Sequence, residues 1–290
     1  RPACRICGCG MKKRDYKKEF STLIDKFAYR YSRWQVWNDF LSLSALSLAN
    51  VMPGPENGER EEQYLSIMDS YQKEYQEAFP KMLGLVVLAL EENPEQDFLG
   101  SLYHYLDLQQ EQKGQFFTPY HICEFMSELQ FTGDGKAEKL EEKGCISVND
   151  PACGAGAMLI AFANVAKRHG INYQKHVLFV AQDIDRTAAM MCYIQMSLLG
   201  CPAIVVIGDS LAKPFPHPDN EVWCTLFYHL NQWRFTTGEA GSETADGMET
   251  ADGIETTGGS MERTMIRLSG NMELLEGADG QLMLSMERAS

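Results

Sequence analysis

Three short apolar runs, each closed by an acid and separated by helical stretches, leave this chain few folds to choose from. "CISVND" at 145–150, "HVLFVAQD" at 176–183 and "AIVVIGD" at 203–209 read as buried strands. Between them, "AMLIAFANVAKRHG" at 157–170 and "RTAAMMCYIQMSLLG" at 186–200 carry helical periodicity. Each of these ends in glycine, the residue that most readily adopts the left-handed C-cap. Strands alternating with helices through short loops give a parallel sheet with right-handed crossovers. A fourth strand is expected at about 221–230, within "EVWCTLFYHL".

The flanks differ from this centre. Residues 16–50 and 60–92 have helical periodicity, divided by the Pro- and Gly-rich "VMPGPENGE" at 51–59, and "DFLGSLYHYLDLQ" at 97–109 reads as a further short helix. Pro80 is expected to start or kink a helix. Residues 1–10, "RPACRICGCG", stand apart as a candidate extension ahead of Met11. Cys4, Cys7 and Cys9 suggest a metal knuckle, but no second pair follows to complete a zinc site, so no metal is assigned. Beyond 236 the composition falls to Gly, Thr, Glu, Asp, Ser and Met, with the near-repeats "ETADGM", "ETADGI" and "ETTGGS". That is the composition of a disordered acidic tail. The expected division is a helical N-terminal domain at 11–112, a Rossmann-like cofactor-binding domain at 113–235 and a low-complexity tail at 236–290.

The turn after the first strand narrows the ligand. In "NDPACGAGAML", Gly154 and Gly156 let the backbone approach a ligand, and the following helix offers free N–H groups. A P-loop needs a Lys after the last glycine, and none follows Gly156. A dinucleotide fingerprint needs a third glycine, and Leu159 stands there. Asp150, four residues before Gly154, suits a cationic amino-acid group better than a pyrophosphate. That points to S-adenosylmethionine. Asp183 at the end of the second strand is placed to accept from the ribose hydroxyls. Asp209 at the end of the third is placed to accept from the adenine amine, with Ile184 packing on the ring. The plainer reading is that such acids cap the next helix.

"GQFFTP" at 114–119, followed by a helix and then by "NDPACGAGAML", "AQDID" and "GDSL", resembles the adenine-specific DNA methyltransferases. Within that family the chain is similar to modification subunits of type I restriction systems and to methylases of mobile elements. The resemblance covers about residues 98–235. It implies an S-adenosylmethionine-dependent α/β fold and methyl transfer to the exocyclic amine of a flipped adenine in DNA. It also implies that Phe117, Thr118 and Pro119 flank the methionine end of the cofactor. Thr118 is expected to cap the following helix and Pro119 to occupy its first turn.

The resemblance further implies a catalytic Asn/Asp-Pro-Pro-aromatic motif after the fourth strand, and the sequence has none. Asn93-Pro94 precedes the cofactor turn and reads as a helix stop. "NQW" at 231–233 is the remaining amide-then-aromatic cluster, so Asn231 and Trp233 are the weak catalytic candidates. The family's sheet has seven strands against about four legible here. The fold class is therefore an incomplete Rossmann-like methyltransferase sheet, preceded by a helical domain and followed by a disordered acidic tail. An incomplete sheet leaves apolar edge and face exposed. The partners expected are DNA and a specificity subunit, a second methyltransferase subunit or another copy of the chain. Net charge is −14, yet the first 40 residues hold 10 Lys and Arg against 4 Asp and Glu, which makes them the candidate local path for DNA. The longest strongly apolar run, "MLGLVVLAL" at 82–90, is too short to cross a bilayer. Nine cysteines without an export signal read as reduced thiols of a cytoplasmic protein.

Overall fold

In a computed structural model, residues 14–108, 117–133, 144–236, 265–267, 272–276 and 282–286 are described. Among the described residues seven helices precede the sheet. Local capping starts several of them: the Asp15 side chain accepts from Lys18 N at the head of α1 (Tyr16–Asp25), and Ser32 accepts from Gln35 N at the head of α2 (Arg33–Ala49). The loop expected at 51–59 is shorter, because α3 (Asn57–Asp69) already begins at Asn57. After α4 (Lys73–Gln76), α5 (Ala78–Glu92) carries Pro80 in its first turn, where a missing N–H leaves no intrahelical bond unmade. Asn93 closes α5, as the helix-stop reading of Asn93-Pro94 requires. Asp97 then caps α6 (Phe98–Tyr105) by accepting from Gly100 N. A seventh helix, α7 (Tyr120–Gly133), leads to the sheet.

The sheet has the order β1-β2-β3-β4. β1 (Ile146–Asp150), β2 (Val177–Asp183) and β3 (Ala203–Ile207) are parallel, with Asp150 opposite Ala181 and Asp183 opposite Ile207. α8 (Ala157–Arg168) crosses from β1, with the single turn α9 (Tyr173–His176) ahead of β2, and α10 (Arg186–Leu198) crosses from β2 to β3. Gly170 and Gly200 end α8 and α10 at φ of 78° and 70°, as their places in the sequence predict.

Two crossovers of one hand place α8 and α10 on the same face of the sheet. The alternate residues that face them, including Phe179, Ala181, Val205 and Trp223, join one continuous core with Trp37, Phe40, Leu102 and Met191. The N-terminal helices belong to that core: α2 and α6 pack on α10. The opposite face is thinly covered. α11 (Leu226–Thr236) packs on β3, while Leu178 and Val180 are half-buried and Val222 is 42% exposed. Among the described residues no strand pairs with the outer edge of β1.

Two expectations are corrected. β4 (Glu221–Cys224) is four residues long rather than about ten, and it runs antiparallel to β3. Thr225 is the cause. It is fully buried and its Oγ1 accepts from Ala203 N and from Tyr228 N, so the strand ends there and α11 begins. The tail at 236–290 is not wholly without structure: β5 (Met265–Arg267), β6 (Met272–Glu276) and β7 (Leu282–Met286) form an antiparallel meander. "MELLE" and "LMLSM" are short apolar runs bounded by Gly-Asn and Gly-Ala-Asp-Gly, which favours strands joined by turns. The six-residue repeats and Cys4, Cys7 and Cys9 lie outside the described residues.

Candidate cofactor site

The turn between β1 and α8 needs its glycines. Gly154 and Gly156 have φ of 54° and 92°, where L side chains are strained. Space is equally tight: a Cβ on Gly154 would stand 3.0 Å from a Phe117 ring carbon, and one on Gly156 2.9 Å from Cys192 Sγ. The turn is also held against the end of β2. Cys153 N donates to Gln182 O at 3.0 Å, and Gly154 N donates to Asp183 Oδ2 at 2.8 Å. Cys153 is buried, a small filler in the turn.

Three carboxylates line the carboxyl ends of adjacent strands. Asp150 accepts from Ala152 N at 3.2 Å. Asp183 accepts from Gly154 N and, through Oδ1, from Asp185 N at 2.9 Å. Burial pushes both carboxyls above the ordinary Asp value, and the nearby charge of Asp183 adds to the effect at Asp150. Asp209 Oδ1 accepts from Leu211 N and Ala212 N, which holds the turn after β3; no helix follows it for the plainer reading to cap. The cap of α10, by contrast, is Asp185 and not Asp183. Ile184, beside Asp183, is 71% exposed. The head of α8 differs from those of α1, α2, α6 and α10 in having no side-chain cap, which leaves its first-turn amides to other acceptors.

Phe117 closes the site from the other side, its ring against Gly154 and 5.2 Å from the ring of His104. Thr118 is exposed. α7 starts one residue later than expected: the carbonyl of Pro119 accepts from Ile122 N and Cys123 N, so Pro119 stands just ahead of the helix rather than in its first turn. Gln115 and Phe116 lie outside the described residues. The structure thus brings Phe117, Asp150, Gly154, Gly156 and Asp183 together, with Asp209 on the neighbouring strand end, where Gly208 N donates to Asp183 O.

Asn231 and Trp233 are elsewhere. β4 runs antiparallel, from Glu221 opposite Ile207 to Cys224 opposite Ile204, and so carries the chain away from the carboxyl ends of the parallel strands. α11 therefore begins at the amino end of β3, where Thr225 N donates to Ala203 O. Asn231 Nδ2 donates to Phe227 O, one turn back in its own helix. The backbone of Trp233 is in the same helix; its side chain is outside the described residues. Asn231 and the backbone of Trp233 thus stand at the end of the sheet away from the glycine turn.

Residues 94–226 match a family model described as N-6 DNA Methylase. Over that segment the chain is similar to the N-6 DNA methylases. The matched segment runs from the loop before α6 to the start of α11, so it contains Phe117, the glycine turn and all three carboxylates. The general activity that goes with the family is methylation of adenine in DNA. No curated protein matches the chain.

Several residues of the candidate site escaped sequence reasoning. Gln182, buried within "FVAQD", holds the loop after β3: its Nε2 donates to Gly208 O and Lys213 O, and its Oε1 accepts from Phe215 N. A lone polar residue inside an apolar strand run was the available signal. Tyr103 and His104 back Phe117, and no local pattern marks them. Among the described residues no group of His, Cys, Asp and Glu can hold a metal ion, and no helix is long and apolar enough to cross a membrane.

Proposed function

We propose that the carboxyl ends of β1–β3 bind S-adenosylmethionine, and that the chain serves methyl transfer to the exocyclic amine of adenine in DNA within a restriction-modification or mobile-element system. The observation that carries the reading is Asp183. Its carboxylate ties the glycine turn to β2, is flanked by Asp150 and Asp209 on the adjacent strands, and lies across the turn from Phe117. In this reading Asp150 and the amides at the head of α8 receive the charged amino-acid end, with Phe117, Thr118 and Pro119 beside it. Asp183 accepts from the ribose, while Asp209 and Ile184 hold the adenine. The bound cofactor supplies the electrophilic methyl group. The residues of this chain orient it and exclude water from one side.

A second reading has its own support. The chain lacks the amide-Pro-Pro-aromatic motif, and its remaining candidate, Asn231, is at the far end of the sheet. A cofactor-binding subunit that relies on another chain for the catalytic amide fits both facts. The edge of β1, unpaired among the described residues, and the half-covered face at Leu178 and Val180 favour such a partner, whether a specificity subunit, a second methyltransferase subunit or another copy. In either reading the protein works on DNA in the cytoplasm.

Transfer of radiolabelled methyl from S-adenosylmethionine to unmethylated DNA, run beside a cofactor titration, tests the proposal. Incorporation supports a complete enzyme. Cofactor binding without incorporation supports the subunit reading, and loss of both removes the site assignment. A stable, monodisperse monomer by light scattering counts against self-association.

A further inference from the structure

Gln195 is completely buried on α10, and every hydrogen-bonding group of its amide except one lone pair is used. Its Oε1 accepts from Leu99 N at 3.0 Å; its Nε2 donates to Asp97 Oδ1 at 2.8 Å and to Ala155 O at 2.9 Å. One side chain therefore joins three elements: α10, the head of α6 and the glycine turn. Asp97 Oδ1 also accepts from Gly100 N, and a Cβ on Gly100 would fall 2.0 Å from Asp97 Oδ2, so the carboxylate is pressed into the helix end.

The connection continues on the other side. α6 carries Tyr103 and His104, whose rings lie 5.8 and 5.2 Å from that of Phe117. Phe117 in turn rests against Gly154. The path from Ala155 through Gln195, Asp97, α6 and Phe117 back to Gly154 closes on itself. A buried hydrogen-bond network of this kind favours one arrangement of its members.

We propose that Gln195 and Asp97 are positioning residues that set the gap between the glycine turn and Phe117, and thereby the affinity for the amino-acid end of the cofactor. The inference rests on the cofactor reading above. It predicts a selective effect, because the strand ends that hold the nucleoside end are tied to β2 and β3 and not to α6.

The test titrates the full chain by calorimetry with S-adenosylhomocysteine and, separately, with adenosine, which lacks the amino-acid end. Gln195→Leu keeps the volume and removes three hydrogen bonds. It should weaken S-adenosylhomocysteine by about tenfold or more and leave adenosine within about twofold. Asp97→Ala removes the acceptor shared by Gln195 Nε2 and Gly100 N and should likewise weaken S-adenosylhomocysteine more than adenosine; equal losses would count against the inference. Equal losses for both ligands would reduce Gln195 to a structural anchor and overturn the inference, as would an unchanged affinity for S-adenosylhomocysteine. Where Gln195→Leu does not fold, hydrogen exchange on the unaltered protein decides. S-adenosylhomocysteine should slow exchange at the Leu99 and Gly100 amides, and unchanged exchange there overturns the proposal. Failure of the unaltered chain to bind S-adenosylhomocysteine removes the cofactor reading, and this inference with it.

Discussion

The carboxyl ends of β1, β2 and β3 carry three carboxylates, two left-handed glycines and a helix head without a side-chain cap, whereas the amino ends of β2 and β3 are closed by Thr225, Cys201 and Phe227. At the amino end, Thr225 Oγ1 donates to Cys201 O at 2.7 Å and accepts from Ala203 N at 2.9 Å, and Phe227 is 1% exposed beside them. There the Thr225 hydroxyl pairs with the backbone of its neighbours. At the carboxyl end, half-buried carboxylates lie close to one another. Such an arrangement is unfavourable for stability alone and is offset when a ligand binds. One end holds the fold and the other is available for chemistry.

Mutations at the two ends should separate stability from binding. Phe227→Ala, at the amino end, should lower stability by about 3–5 kcal/mol by emptying a fully buried site, with cofactor affinity unchanged in the folded fraction. Chemical denaturation paired with titration checks it. Asp183→Ala, at the carboxyl end, should weaken cofactor binding by about 1–3 kcal/mol through lost charge-assisted hydrogen bonds. Unchanged affinity would take Asp183 out of the site.

A smaller effect should follow pH. Burial raises the folded-state values of Asp150 and Asp183 above the ordinary 3.8. A raised carboxyl favours the protonated folded state, so its contribution to stability is full below the unfolded value and is lost as pH rises through the raised values. Cofactor affinity should run the other way, since accepting from an ammonium group and hydroxyls requires ionised carboxylates. Acidification from neutral toward the ordinary Asp value should weaken binding while the contribution of these two groups to stability grows. Parallel thermal melts and titrations over that range would show the opposed trends, and affinity that rises on acidification would contradict the assigned roles. Smallest of all, Asn231→Ala should change cofactor affinity not at all and stability by no more than about 0.5 kcal/mol. If it abolished methyl transfer instead, the contrast between the two ends would collapse.

Much of the carboxyl end was legible in the sequence because its signals are local. The acids follow apolar runs directly, Gly154 and Gly156 stand beside Asp150, and Gly170 and Gly200 mark the helix ends. The amino end was misread because "EVWCTLFYHL" is apolar throughout and does not show whether its period is that of a strand or a helix. The buried hydroxyl of Thr225 decides it, and burial is not visible in a sequence. The Gln195 bonds to Leu99 and Asp97 span 96 and 98 residues, so no window of local pattern contains both partners. Pro119 was displaced by one position, the usual uncertainty of a helix boundary.

The strand order β1-β2-β3-β4 has a consequence for how the chain assembles. Each strand pairs with the one made just before it, so the sheet can grow during synthesis without waiting for a distant segment. The first hundred residues have no such liberty. α2 and α6 seat on α10, which is made only after β1 and β2. The helical layer therefore forms early and docks late, and the interval between the two is when its apolar surface is most open to other chains.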